Sequence, residues 1–474
     1  MRSNEPTRVH PVVVVGGGLG GSAAAAFLGR AGVRATVLER RDAPTPRPRA
    51  WVLSARTMEL MRGLGLAEEV LRLGTPGSWD LQTVDTLLEV HEERAVVDET
   101  AALSPTGAAQ CDQDVLEGLL RARAETDGAE VCWGHQVTGL VDLGEVVQVH
   151  HDGDGPPLLA SYVLLAEGAR AGLLEDLGIG SQRFAEDAEE FFQVLFRSRR
   201  LEELMATRPG KAFLCGSGGT IVFRRDLDRW QLQRQGKDFL DVPADVAAAV
   251  GAPVDVEVLD HGSWRPSGHL ADRFRAGRVL ALGDAVHSMP PSLGMAGNLA
   301  VGDAHDLAWK LAWVLGGRAG EDLLDSYEIE RRPVDERVLR ASVALAHGER
   351  ELAGLVADLG LGYPAGASPA LSGEGDDLQV VDPRAPTPVV GARLPHVWLP
   401  DGRSSLDLVR PDTFVAVGDR VPAAAPVPCH EVASYGPGLW LVRPDGHVAA
   451  RVEPDHLTDV LDALLSRDAG PWSA

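Results

Sequence analysis

Residues 11–41, PVVVVGGGLGGSAAAAFLGRAGVRATVLERR, constrain this chain more than any other stretch. Val12 to Val15 are unbroken by a polar residue. The strand they form needs apolar cover on both faces, the position of a central strand in a parallel sheet. Gly16, Gly18 and Gly21 follow as G-x-G-x-x-G. In that pattern the first glycine allows a tight turn and the second lets a pyrophosphate approach the backbone. The third lets the next helix pack closely on the strand. Ser22 to Gly29 is small and Ala-rich, which predicts a helix packed against the sheet with its N-terminal amides facing an anion. A second strand is predicted over Ala35 to Leu38. Glu39 follows it, eighteen residues past Gly21, where an acid accepts hydrogen bonds from ribose hydroxyls. The unit implies a dinucleotide and does not distinguish NAD from FAD.

At 474 residues the chain is too long for one core, so two or three domains are expected. The formal net charge of −24 argues against nucleic acid and anionic membrane as partners. Cys111, Cys132, Cys215 and Cys429 are scattered without a C-x-x-C, so neither a disulfide framework nor a metal site is expected, and a cytoplasmic location fits. The valine run is far too short to span a membrane.

Further along, Arg56 to Leu64 has helical apolar spacing, and Arg49 before it is either a phosphate contact or a solvated arginine. Gln110 to Thr126 reads as an Asp-capped amphipathic helix with Gln113 in its first turn, facing a cofactor or serving as a cap. Val131 to Trp133 and Val146 to His150 read as a hairpin or meander. Ser161 onward is a buried strand ending at Glu167-Gly168, where ligands bind in open α/β sheets. From Gln182 to Phe274 the pattern changes to an antiparallel sheet, a candidate substrate layer in which Trp230 and Trp264 either wall an aromatic pocket or are core. In residues 277–310, GRVLALGDAVHSMPPSLGMAGNLAVGDAHDLAWK, a short buried strand ends at Gly283-Asp284. Pro290-Pro291 fix a loop, Gly294 and Gly297 allow close backbone approach, and a helix runs from about Asn298 to Leu315. Asp284 either binds sugar hydroxyls or caps the loop, and His287 reads as structural.

The pairing of VVVVGGGLGG…LER with GRVLALGDAVHSMPP…GNLAVGDAHDLAWKLA resembles the FAD-dependent aromatic hydroxylases, single-component flavoprotein monooxygenases. The nearest sub-group is the polyketide hydroxylases acting on tetracenomycin-, angucycline- and anthracycline-type molecules. The resemblance implies an α/β chain: a glutathione-reductase-like FAD-binding Rossmann domain, an antiparallel β substrate layer and a C-terminal thioredoxin-like domain. It implies a first FAD-binding part over 1–180, with an insertion near 75–105 joining the substrate layer. The substrate sheet would occupy 181–274, the second FAD-binding part and helices 275–385, and the thioredoxin-like domain 386–474.

By the same resemblance, Gly16, Gly18 and Gly21 would hold the pyrophosphate, Glu39 the adenosine ribose with Arg40 beside it, and Arg49 the phosphate side. Gln113 would sit near the ribityl chain and Asp284 would bind its hydroxyls. Pro291, Gly294, Gly297 and Asn298 would line the isoalloxazine ring, and Trp230 and Trp264 the substrate pocket. FAD would be non-covalent, NADPH or NADH the reductant, and a polycyclic aromatic polyketide and oxygen the substrates, reacting through a flavin C4a-hydroperoxide. No side-chain nucleophile is implied, because the flavin carries the chemistry. The sequence departs from the family in three places. Glu167-Gly168 replaces Asp-Gly, Ala171 and Leu174 replace a serine and an arginine, and Leu293 and Ala296 replace loop glycines. The altered segment leaves open a flavoenzyme of this fold that does not hydroxylate, and a flavin-bound scaffold is a third reading.

Overall fold

The computed structural model describes residues 8–45, 50–77, 81–90, 98–169, 172–185, 189–207, 212–216, 220–225, 228–422 and 424–465, with backbone alone for Leu81 and 220–225. The strand Val9–Val15 lies between Leu158–Leu165 and Ala35–Glu39, parallel to both. Glu130–Trp133 and Val279–Ala281 extend the sheet on either side, also parallel. Val12, Val13 and Val14 are 0% exposed, as a strand covered on both faces must be. Helix Leu19–Arg30 covers the sheet and packs against helices Gln113–Thr126 and Ala296–Leu315. Its buried alanines, Ala23 to Ala26, permit that close approach.

Two expectations need correction. The hairpin is formed by Val137–Asp142 and Val147–His151, whereas Glu130–Trp133 joins the parallel sheet beside Ala35–Glu39. Asp112 does not cap the helix Gln113–Thr126 with its side chain. Its carboxylate is drawn instead to Arg229, at 2.7 Å.

Among the described residues a second sheet has six strands in the order Glu257–Trp264, Phe191–Arg197, Arg229–Gln235, Thr220–Arg225, Ala212–Cys215, Leu81–Val84. Leu81–Val84 runs parallel to Ala212–Cys215 and the other pairings are antiparallel. The period-two pattern of FFQVLFR and RWQLQRQ gives the sheet two unlike faces. Val194, Phe196, Phe213, Trp230 and Leu232 form an apolar core with Leu201, Met205, Val246 and Val250 of two covering helices. The opposite face carries Gln193, Leu195, Ala212, Arg229, Gln231 and Gln233 and turns towards the first sheet's domain. Ala212 packs on Trp51, and Arg229 pairs with Asp112 and with Asp114, the latter at 2.9 Å.

The C-terminal region holds a sheet of strands Cys429–Glu431, Val415–Gly418, Leu439–Val442 and Val448–Val452, in that order, with the helix Leu457–Leu464 against it. It docks through Phe414 against Trp309 and Trp313 and through the buried Arg443, which reaches Glu330 and Asp306. Among the described residues no helix is long and apolar enough to cross a membrane.

Candidate cofactor and substrate site

The glycines of the first turn have different reasons to be glycine. Gly16 has φ +102°, and a Cβ there would lie 2.3 Å from the Ala166 carbonyl oxygen. At Gly21 a Cβ would lie 1.9 Å from the Gly16 carbonyl oxygen, so neither position admits a side chain. At Gly18 the nearest atom to a Cβ would be Glu117 Oε1, at 3.9 Å. The space over Gly18 is therefore open, and the helix that starts after it has no side-chain cap and no acid in its first turn. Uncapped amides beside an open cradle suit a pyrophosphate. Gly18→Val is accordingly expected to fold with a near-normal melting temperature but to lose FAD on desalting. Gly21→Ala is expected to lose the folded protein, with circular dichroism as the readout for both.

Glu39 ends the second strand, 3% exposed. Gly17 N donates to its Oε2 at 2.7 Å, and Arg41 donates to its Oε1 from both N and Nε, each at 3.0 Å. Burial alone would raise its pKa. The amides of Arg41 and Gly17 and the Arg41 guanidinium outweigh it and hold the carboxyl below its usual value. Glu39 is thus a fixed carboxylate at the turn. Arg41 is the side chain that supports it, and Arg40 is exposed.

The Asp284 segment converges on the same place. A Cβ on Gly20 would come within 2.8 Å of Leu282, and one on Gly297 within 3.0 Å of Leu19. Gly297 therefore serves close packing between the two segments. Gly283 has φ +64°, and its amide donates to Asp303 Oδ2 at 3.0 Å. The same oxygen contacts His287 Nε2 at 3.0 Å, and Asp303 Oδ1 accepts from Arg331 Nε at 2.8 Å. Burial would keep His287 neutral, but Asp335, Asp303 and Asp284 raise its pKa to about 9, so it is a charged, fully buried strut beneath the loop. Asp284 itself makes no side-chain hydrogen bond among the described residues and is half-buried. Helix Ala296–Leu315 starts with no side-chain cap and no acid in its first turn.

Asn298 is turned inward. Its Oδ1 accepts from Ser54 N at 2.9 Å, and its Nδ2 donates to Val52 O at 3.1 Å and Gly294 O at 2.8 Å. It pins the Pro291–Gly294 turn, where Gly294 has φ +65°, to the strand before helix Ala55–Gly63. Gln113 likewise pins a segment, accepting from Ala50 N at 3.0 Å and donating to Glu117 at 2.7 Å. Arg49 and Ala171 lie outside the described residues.

Trp230 cannot wall a pocket. It is 0% exposed in the apolar core on the far side of the second sheet, with its indole N–H on Glu202. The alternation of RWQLQRQ places it on the face opposite the glutamines. Trp264 shares the inner face, stacked on Phe191 with centroids 4.8 Å apart and 13° between planes. Glu167 is half-buried beside Gly16 and accepts from Leu173 N at 3.4 Å, while its buried Oε1 has no partner. Burial pushes its carboxyl above the usual range and Asp176 adds to this, against the Leu173 and Leu174 amides and the Arg40 charge. Leu174 is 4% exposed and belongs to the main core. Sequence reasoning read His287 as structural but passed over Asp303 and Arg331 around it, as well as Arg41, Glu117, Trp51 and the inner-face glutamines.

Open space over Gly18, the fixed carboxylate of Glu39, the half-buried Asp284 and a facing second sheet make up a two-layer α/β protein. The FAD binding domain family matches residues 9–342. The chain is 34% identical over 547 aligned positions to a 4-methyl-5-nitrocatechol 5-monooxygenase of Burkholderia sp, covering 96% of this chain and 98% of that one. It is 34% identical over 441 positions to an aklavinone 12-hydroxylase of Streptomyces peucetius, covering 84% and 89%. Its fold matches the structure of an aklavinone-11 hydroxylase solved with FAD and aklavinone, at TM-score 0.85, 30% identity and 98% and 100% coverage. The chain belongs to the FAD-binding family of flavoprotein monooxygenases that includes the polyketide hydroxylases, and its cofactor is FAD.

Proposed function

We propose that this protein hydroxylates a flat, electron-rich polycyclic polyketide, with NADPH or NADH as reductant. The observation that carries the reading is the second sheet's inner face, with its Phe191–Trp264 pair, turned towards the domain that binds FAD. FAD, when bound, supplies the electron transfer and oxygen activation. The chain's own part is to bind and orient. The amides after Gly18 would hold the pyrophosphate, Glu39 and Asp284 would take the ribose and ribityl hydroxyls, and Asn298 would keep the Pro291–Gly294 turn in place for the flavin. The second sheet and the buried Trp51 would limit the access of water to the bound group. Among the described residues no nucleophile paired with a base stands on that face, which suits chemistry done by the flavin.

The tail fits a thioredoxin-like domain. Val415–Gly418 is central, parallel to Cys429–Glu431 and antiparallel to Leu439–Val442, which is antiparallel to Val448–Val452. Burial raises the Cys429 thiol pKa and no disulfide partner is near, so the tail is structural.

Leu174 supplies no guanidinium where the family carries an arginine. Flavin reduction by NADPH or NADH is therefore expected to be slow in the protein alone and faster with a bound polycyclic phenol, which closes the site. Anaerobic mixing with each nucleotide, with and without the phenol, reads this as flavin bleaching. Equally fast bleaching without the phenol contradicts it.

A further inference from the structure

The inner face of the six-stranded sheet carries three glutamines that neither cofactor binding nor core packing explains. Gln193 is 7% and Gln231 2% exposed. Leaving a buried carboxamide without partners is costly, so such a group needs hydrogen bonds. Part of that need is met internally. Gln231 Nε2 donates to Gln193 Oε1 at 3.0 Å, and Gln233 Nε2 donates to the same oxygen at 3.2 Å. Both lone pairs of Gln193 Oε1 are then occupied, which leaves its amide nitrogen on the other side of the group. That nitrogen makes no hydrogen bond among the described residues and is not sealed from solvent. Gln233 Oε1 is in the same condition, on a half-buried side chain. A donor and an acceptor thus remain on this face.

Their place in the sheet is fixed by register. Gln193 lies opposite Gln233, Leu195 opposite Gln231, and Phe191 opposite Trp264. Side chains on one face recur about every 6.6–6.8 Å along a strand. The amide row therefore stands between Arg229, anchored on Asp112 and Asp114, and the stacked Phe191–Trp264 pair. An aromatic platform and a paired donor and acceptor lie one step apart.

We propose that Gln193 and Gln233 form a subsite for the oxygenated edge of a keto-phenol, the amide N–H of Gln193 donating to a ring carbonyl and Gln233 Oε1 accepting from the neighbouring hydroxyl. The Phe191–Trp264 pair covers the adjoining ring. The two glutamines then determine specificity, selecting hydroxyquinone-type ring systems over flat rings that lack the carbonyl. This rests on the reading of the substrate as a polycyclic aromatic, which the test examines separately.

The test uses the full-length FAD-loaded protein and follows ligand binding by perturbation of the flavin spectrum. The probes are 1,8-dihydroxyanthraquinone, which has the carbonyl beside the hydroxyl, and 2-naphthol, which has a hydroxyl alone. Gln193→Met removes the donor, and Gln233→Met, at a less buried position, removes the acceptor with little demand on folding. Each is expected to weaken 1,8-dihydroxyanthraquinone by about five-fold, in line with a neutral hydrogen bond; Gln193→Met is expected to leave 2-naphthol, which has no carbonyl, within two-fold, and Gln233→Met to weaken it as well. FAD content and melting temperature should match the wild type for Gln233→Met. Unchanged affinity for both probes overturns the subsite, and so does an equal loss for both in Gln193→Met, which would make that glutamine structural; undiminished 2-naphthol binding in Gln233→Met removes Gln233 as the hydroxyl acceptor. If the wild type binds neither probe, the polycyclic substrate reading itself falls, and the subsite with it.

Discussion

Asp284→Ala is expected to weaken FAD binding by about ten-fold or more, since a hydrogen bond to a charged group is worth roughly 1.5–3 kcal/mol. The apoprotein's melting temperature should move little, because among the described residues this carboxylate makes no side-chain hydrogen bond and is the last and smallest of the charges acting on His287. The neighbouring acid provides the contrast. Asp303 is 0% exposed and holds the Gly283 amide, His287 and Arg331, so its removal should unfold the loop and the fold around it. Titration of apoprotein with FAD, alongside a thermal melt, separates the two roles. Undiminished FAD affinity in Asp284→Ala would remove this aspartate from the cofactor site.

The second large effect is expected at Arg443, which is 0% exposed and ties the C-terminal region to the FAD-binding domain. Its Nη1 donates to Glu330 Oε1 at 2.6 Å, and its Nη2 donates to Glu330 Oε2 at 2.9 Å and Asp306 Oδ1 at 3.1 Å. Its guanidinium also pairs with Asp445 and lies 5.2 Å from the Trp309 ring. Lys310 Nζ completes the group, 2.6 Å from Asp306 and 2.7 Å from Glu330. Three carboxylates therefore face two cations. Glu330 is pulled down to about 2: burial opposes this, but Arg443 and Lys310 outweigh it. Asp306 is pushed up to about 7 by burial and by Glu330 and Asp445, so it is the acid that holds a proton most readily. Removing one partner of a buried pair costs about 3–5 kcal/mol, because the charges left behind stay buried. Arg443→Ala should lose that much, and Arg443→Lys most of it, since a lysine keeps the charge but cannot span Glu330 with two parallel bonds. Limited proteolysis should then release a fragment that starts near Val389, where the wild type resists. A wild-type melt and cleavage pattern in Arg443→Ala would show that the domain is held by its apolar contacts alone.

The local parts of the fold were legible in the sequence. Four valines, spaced glycines and Glu39 lie within one unit of chain, and each obeys a local rule of period or turn. Gly18 and Gly21 were both marked by the motif, although the structure gives one of them open space and the other none. What stayed hidden depends on partners brought together by topology. Arg443 meets Glu330 across 113 residues, and Arg229 meets Asp114 across 115. Nothing local in RWQLQRQ says that its arginine will draw Asp112 away from a helix cap. Trp230 is a different case. Its alternation with Gln231 and Gln233 fixed its face, but which face met the core depended on the helices Arg199–Met205 and Val242–Val250 covering that side. The charge of His287 was out of reach for the same reason, since it depends on Asp303 and Asp335 closing around a buried ring.

The central claim is that a hydroxyl group is placed on a polycyclic aromatic ring with an oxygen atom from dioxygen, and the most direct test is product mass after turnover under oxygen-18 gas. Purified protein with FAD, NADPH or NADH, and a polycyclic phenol should give a product heavier than the substrate by one labelled oxygen atom, with no label acquired from labelled water. Conversion that proceeds equally well without oxygen and without a reduced nicotinamide, giving an unlabelled product, would contradict the hydroxylase and leave a redox-neutral flavoenzyme in its place.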